Sequence, residues 1–221
     1  MYRNFFKRFF DIVLSGMALL FLWPVLLIVA ILVRAKLGSP VIFCQERPGK
    51  DEKIFKMYKF RSMTNERDEN GNLLPDDVRL TPFGKKLRST SLDELPELWN
   101  IFKGDMSIVG PRPLLMKDMV FLSGDLKERW MVRPGLTGLA QVSGRNALSW
   151  DDKLSKDVEY VRSISLAVDL KILVNTVSKV IKADSVDYEG SNAELDYGDY
   201  LLENGKITLE QYDTLKDMSC P

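Results

Sequence analysis

Residues 12–33 read IVLSGMALLFLWPVLLIVAILV, 22 positions without a charge. A straight helix of this length would span a hydrocarbon core of about 30 Å. The run is too long for a signal-peptide core, and RAKLGSP after it offers no small-residue cleavage site. It is also too long and too apolar for an ordinary buried helix. Both flanks are basic, Arg3, Lys7 and Arg8 before it and Arg34 and Lys36 after it, whereas a spanning helix carries this excess on one side. Pro24, preceded by Trp23, removes the backbone bond to Leu20 and forces a kink or break. Each half, roughly 14–16 Å long, could cross one leaflet. A re-entrant segment and a kinked spanning helix both remain open on these features. Phe5, Phe6, Phe9 and Phe10 among the basic residues suit an interfacial lead-in.

The net charge of the 221 residues is zero, but it is unevenly placed. From Ala183 onward there are ten acids and two lysines, so the first 182 residues carry +8. A basic body suits anionic ligands or membrane surfaces. No nucleic-acid module is recognisable, and the apolar run argues against such a partner. The two cysteines, Cys44 and Cys220, suggest neither a disulfide framework nor a metal site. There is no histidine, so catalysis must use carboxylates, Lys, Arg, Tyr, Ser or a hard cation.

Beyond the apolar run, Val41–Glu46 and Lys53–Arg61 read as strands of a hairpin around Pro48-Gly49. Lys53, Lys56, Lys59 and Arg61 of the second strand read mostly as a solvated face. Residues 64–79 form a polar loop, and Phe83–Leu87 begins a short basic helix. Gly104 is a helix stop. Gly110-Pro111-Arg112-Pro113 is a rigid loop holding an arginine. Leu114–Trp130 reads as one amphipathic helix. Gly135, Gly138 and Gly144 sit with Arg133 and Arg145 in a loop able to meet an oxyanion. Trp150–Ile181 is strongly helical, with Val168, Leu170, Leu173, Val174, Val177 and Ile181 forming an apolar stripe. In the acidic tail, Ala193–Glu203 and Thr208–Met218 suggest a helical hairpin, with Thr208 and Gln211 as a capping box.

The stretch SLDELPELWN, residues 91–100, admits two readings. Ser91 and Glu94 match a capping box, with Asp93 complementing the helix dipole. Pro96 strains that reading, because it disfavours helical geometry at Leu95. Starting the helix at Pro96 instead puts Asp93 and Glu94 in the turn before a helix N-terminus. Two adjacent carboxylates need a nearby cation, Mg²⁺, Arg88 or Arg112. Phosphoryl transfer fits such a set, because it needs mainly positioning and charge neutralisation. An ionised Asp can itself attack phosphorus, and a lipid phosphate as acceptor needs no histidine base.

These residues resemble the bacterial sugar transferases, specifically the small monotopic phosphoglycosyl transferases. The resemblance is carried by Gln45-x-Arg47-x-Gly49, Lys59-Phe60-Arg61-Ser62-Met63, RSTSLDELPELWNIFKGDMSIVGPRP (88–113) and RPGLTGLAQVSGRN (133–146). It covers roughly residues 1–182 and leaves out the tail. It implies an α+β, mainly α, monotopic membrane protein: a re-entrant helix over 1–40 broken at Trp23-Pro24, a catalytic domain over 41–182 with a small hairpin and interfacial helices, and an acidic tail over 183–221. The implied reaction moves a sugar 1-phosphate from a UDP-sugar to undecaprenyl phosphate, releasing UMP, with Mg²⁺ and a covalent intermediate. Asp93 would be the nucleophile and a metal contact, with Glu94 as its partner. Lys59, Arg88, Arg112, Gln141 and Arg145 would contact phosphate or nucleotide. The implied location is the cytoplasmic face of the bacterial inner membrane, inserted in one leaflet. The chain is similar to minimal forms, without an extra membrane domain, that act on UDP-diacetylbacillosamine in protein glycosylation; the alternative donors are other UDP-sugars such as UDP-galactose or a UDP-N-acetylhexosamine. The tail would serve contact with a second copy or a partner enzyme. Two departures stand out. Relatives often place Ser where Trp23 stands, and His just before the Arg-Pro-Gly motif, where Trp130-Met131 stand. The competing classes are a Mg²⁺-dependent pyrophosphohydrolase and a non-catalytic membrane scaffold.

Overall fold

The computed structural model describes residues 1–144, 148–181 and 195–219. A π-helical turn, Tyr2–Phe6, leads into α1 (Lys7–Leu37). The strands β1 (Ile42–Pro48) and β2 (Ile54–Phe60) follow, paired as a two-stranded sheet. Next come α2 (Asp76–Arg79), α3 (Pro82–Ser89), a 3-10 turn Leu92–Glu94 and α4 (Glu97–Lys103). After β3 (Ser107–Val109) and α5 (Met116–Met119) lie a 3-10 segment Gly124–Met131, β4 (Gly135–Thr137) and α6 (Leu139–Ser143). The chain ends in α7 (Trp150–Ser163), α8 (Leu166–Ile181), α9 (Tyr197–Glu203) and α10 (Leu209–Ser219). The class is mainly helical with small sheets, as expected.

Two compact units divide these elements. One comprises Phe9–Gln45 and Lys56–Gly104; the larger comprises Met1–Arg8, Glu46–Phe55 and Asp105–Pro221. In the smaller unit, Val29, Val33 and Leu37 at the end of α1 pack with Phe60 and Leu87. Arg61, beside the lysines read as a solvated face, is itself buried, and its guanidinium donates to the carbonyls of Ser39 and Leu37. It therefore fastens the end of α1.

The helix α1 is long and apolar enough to cross a membrane. Leu20, Phe21, Trp23, Leu27, Ile28 and Ile31 are all exposed. An apolar surface of this extent suits insertion into lipid. The interruption expected at Pro24 is absent from the helix assignment, which runs through the proline. Proline deletes one backbone bond; the flanking turns keep theirs, and α1 continues.

In the larger unit, β3 and β4 pair in parallel, with Ser107 opposite Gly135 and Val109 opposite Thr137. Tyr160 and Ile172 pack against Val109 beneath them. Asp169 of α8 receives hydrogen bonds from Lys7 Nζ (2.7 Å), Tyr2 (2.6 Å) and Tyr160 (2.7 Å), which ties the N-terminus to α8. Two expected long helices are divided. Over Leu114–Trp130, Gly124 takes φ +55° and separates α5 from the 3-10 segment. Over Trp150–Ile181, α7 stops before Ile164, and the Ser165 hydroxyl accepts from the Val168 N–H to start α8. The apolar stripe also splits: Leu170, Val174 and Val177 are exposed, while Val168 and Leu173 join the core around Ile172.

The tail hairpin is integral to this unit. Tyr197 and Leu201 enter a core with Leu114, Phe121, Leu122, Trp130 and Leu154. Asp118 accepts from the Tyr197 N–H at 3.0 Å. The Thr208–Gln211 capping box forms as expected, with reciprocal bonds of 2.9 and 3.2 Å. Residues 193 and 194, expected to begin the first tail helix, lie outside the described residues, and α9 begins at Tyr197.

Candidate active site

The smaller unit brings four of the predicted residues together, Asp93, Glu94, Lys59 and Arg88. Thr81 caps α3 by accepting from the Gly84 N–H at 3.2 Å. Gly84 lies so close to the end of β2 that a Cβ there would sit 1.9 Å from the Ser62 carbonyl oxygen. This approach lets Arg88, one turn further along α3, donate from Nε to Ser62 Oγ at 2.8 Å.

The chain then reverses sharply. Ser91 sits in the left-handed region at φ +54° and makes no side-chain cap bond. The capping-box reading of Ser91 is thereby excluded. A non-glycine residue in this conformation costs about 1 kcal/mol or more and points to a constrained site. Pro96, with φ −63° and ψ −18°, stands at the N-cap of α4, one residue before the first helical position it was expected to take. Asp93 and Glu94 lie in the 3-10 turn between the two helices.

Asp93 is buried at 8% exposure. Burial, then the charge of Glu94, pushes its carboxyl up to about 6; the charges of Lys59 and Arg88 oppose this. Lys59 Nζ lies 2.9 Å from Glu94 Oε1 and 3.1 Å from Glu97 Oε1. Asn100, fully buried, fixes the strand that carries Lys59: its side chain donates to the Lys56 carbonyl at 2.7 Å and accepts from the Tyr58 N–H at 3.0 Å. Three carboxylates thus stand near Lys59 and Arg88, leaving excess negative charge. One or two such carboxylates, completed by substrate phosphate oxygens, are a donor set suited to Mg²⁺. Among the described residues, no group of three or more His, Cys, Asp or Glu converges as a complete metal cage.

Glu97, Asn100, Ser62 and Gly84 were not found from the sequence. The spacing Asp93, Glu94, Glu97 carried a usable signal: a residue three after Glu94 shares its helical face.

The remaining predicted residues belong to the larger unit. Arg112 is exposed on its loop between buried Pro111 and half-buried Pro113. Gln141 in α6 has both amide atoms buried with no hydrogen-bond partner among the described residues. Arg145 lies outside the described residues.

Comparison with known proteins adds independent evidence. Residues 2–183 match the bacterial sugar transferase family. The chain is 49% identical over 180 residues to the uncharacterized sugar transferase EpsL of Bacillus subtilis, covering 81% of this chain and 89% of that protein. It is 42% identical over 184 residues to the UDP-glucose:undecaprenyl-phosphate glucose-1-phosphate transferase of Klebsiella pneumoniae, covering 79% of this chain and 40% of that one. It is 39% identical over 198 residues to the undecaprenyl-phosphate galactose phosphotransferase of Salmonella typhimurium, covering 82% and 41%. The chain thus spans about two fifths of these two longer relatives and most of EpsL. With the match running from the apolar helix past the Asp-Glu turn and both arginine loops, the chain belongs to the bacterial sugar transferase family.

Proposed function

We propose that the chain transfers a sugar 1-phosphate from a UDP-sugar to undecaprenyl phosphate, with Asp93 as nucleophile. The observation that carries this reading is a buried carboxylate between two helix ends, flanked by Glu94, Lys59 and Arg88. The names of the longer relatives support the donor and acceptor classes.

In the first step an Asp93 carboxylate oxygen attacks the phosphorus that bears the sugar. A phosphorus–oxygen bond to Asp93 forms, and the bond from that phosphorus to the bridging oxygen breaks, its electron pair leaving with the oxygen on UMP. In the second step an oxygen of the lipid phosphate attacks the same phosphorus. The aspartyl–phosphorus bond breaks, and Asp93 returns as carboxylate. At neutral pH a group with a pKa of about 6 is roughly nine-tenths ionised, so no base need activate it. The acceptor phosphate is already anionic. Glu94, held by Lys59, repels the Asp93 charge and so keeps the nucleophile reactive. Mg²⁺ held by Asp93 and the donor's phosphates would neutralise charge developing on the diphosphate. Arg112, Gln141 and Arg145 are assigned to the nucleotide and phosphates by resemblance.

The membrane segment fits a re-entrant, single-leaflet helix on the cytoplasmic face. Both flanks are basic. Pro24 lies inside α1, at the position where a re-entrant segment turns back. The relatives named for glucose and galactose favour UDP-hexoses as first donors to assay, with UDP-diacetylbacillosamine, expected from the minimal forms, in the same panel.

The test is UMP release from that panel with undecaprenyl phosphate. Asp93→Asn should lower it by about 10³-fold or more, as loss of a covalent nucleophile does. UMP release at the same rate without lipid would indicate a hydrolase. Unchanged function in Asp93→Asn would indicate a scaffold.

A further inference from the structure

The Gly110–Pro113 loop is held by its backbone at every residue. The Gly110 N–H donates to the Thr137 carbonyl at 2.8 Å, and the Gly135 N–H donates to the Pro111 carbonyl at 2.9 Å. Prolines fix φ on either side of Arg112, and Pro113 restricts Arg112 to extended geometry. The carbonyls of Arg112 and Pro113 are met by side chains. Arg129 Nη2 donates to the Arg112 carbonyl at 2.7 Å. Arg47 Nη1 makes a longer 3.5 Å contact to that of Pro113.

Arg129 is an unusual group to find there. It is 2% exposed, and its guanidinium meets Asp157 of α7 through Nη2 at 2.8 Å and Nε at 3.2 Å. It also lies over the Trp130 ring, 4.6 Å from the centroid. Asp157 is 4% exposed. Arg129 Nη1 and Asp157 Oδ1 have no hydrogen-bond partner among the described residues. An imperfectly satisfied buried pair is a poor source of stability, and apolar residues of similar volume would commonly serve as well. What apolar residues cannot do is donate to a carbonyl. The rigid fork of arginine binds Asp157 and the Arg112 carbonyl in one plane, which a lysine cannot reproduce.

We propose that Arg129, oriented by Asp157, is a positioning residue for Arg112. It fixes the backbone of the one exposed residue in an otherwise immobilised loop, and so the direction from which the Arg112 guanidinium meets a diphosphate. The inference rests on the UDP-sugar reading. It adds a buried pair on the 3-10 segment and α7 that serves ligand geometry rather than stability.

The test is UDP affinity, measured by calorimetry with MgCl₂ on the full-length protein in detergent, with Tm recorded for each variant. UDP is the probe because every donor in the panel contains it. Arg112→Ala should weaken binding by about 10-fold or more, the loss expected when a charged hydrogen bond to phosphate is removed. The pair replacement Arg129→Met with Asp157→Leu should weaken it comparably while Tm stays within about 5 °C. Adding Arg112→Ala to that pair should cause little further loss, because both changes remove the same contact. Should the paired replacement not fold, Arg129→Lys keeps the charge opposite Asp157 and should still weaken UDP at unchanged Tm. Wild-type affinity in the folded paired variant or in Arg129→Lys overturns the inference. So do losses that multiply when Arg112→Ala is added. Wild-type affinity in Arg112→Ala overturns it too, while leaving the Asp93-dependent transfer reading intact. No UDP binding by the wild type would sink the donor reading and the inference together.

Discussion

Two buried ion clusters, one in each unit, use the same chemical parts to different ends. In the larger unit one arginine meets one aspartate, and the arginine's remaining reach goes to a backbone carbonyl. In the smaller unit Glu94 and Glu97 share Lys59, and Asp93 stands beside them buried and pushed up to about 6. The first cluster is matched in charge and holds a loop. The second keeps excess negative charge in a partly dry site, which is unfavourable for folding and useful for chemistry. Arrangements of this kind collect where function is located.

Breaking each cluster should therefore have opposite consequences. The largest expected effect on stability is Asp157→Ala, which strands the Arg129 charge and should cost about 3–5 kcal/mol in urea unfolding of the larger unit. Gly84→Ala comes next. A methyl group 1.9 Å from the Ser62 carbonyl oxygen forces α3 away from β2, so about 1–3 kcal/mol should be lost, with activity falling as Arg88 moves. In the reactive cluster the sign reverses. The Asp93 carboxyl lies at about 6 when folded against an ordinary 3.8, so the folded state holds the proton more tightly. Stability then falls as pH rises from about 4 to 6. Asp93→Asn should raise Tm at pH 7 and lose that advantage below about pH 4. The smallest effect is on pH dependence. Wild-type kcat/KM should rise with pH through an acid limb near 6, since only ionised Asp93 attacks. Lys59→Met, which removes a charge that lowers the Asp93 pKa, should move that limb upward.

The two clusters also differ in how visible they are in the sequence. Asp93 and Glu94 stand out in the sequence because the absence of histidine narrows the chemistry; the strain expected from Pro96 is not there, since Leu95 takes helical geometry (φ −55°, ψ −35°), and it is Ser91 that departs from the capping box. Arg88 is a candidate counter-cation from the residues alone and Lys59 a phosphate contact by resemblance; both lie beside the two acids in the structure. Glu97 was passed over as an ordinary helix residue; its burial depends on a strand nearly forty residues earlier in the chain. Arg129 and Asp157, 28 positions apart, gave no local signal, since exposed arginines and aspartates look the same in sequence. Local chemistry was read well elsewhere: the Thr208–Gln211 box, the Gly104 stop and the hairpin all stand where expected. Both expected long helices are divided where a new element begins, the 3-10 segment at Gly124 and α8 capped by Ser165, and periodicity alone does not mark such a restart. At Pro24 the reverse happened. Proline's lost bond calls for a kink or a break; α1 stays helical through Pro24, so no outright break separates its halves.

The central claim is that Asp93 carries the sugar phosphate. Intact-protein mass spectrometry after brief incubation with a donor that supports UMP release, with Mg²⁺ and without lipid acceptor, tests it most directly. The account predicts a mass increase equal to one sugar phosphate, mapped to the peptide containing Asp93, absent in Asp93→Asn and discharged on adding undecaprenyl phosphate. Full transfer activity with no adduct at any time of quenching, or an adduct on another residue, would contradict it.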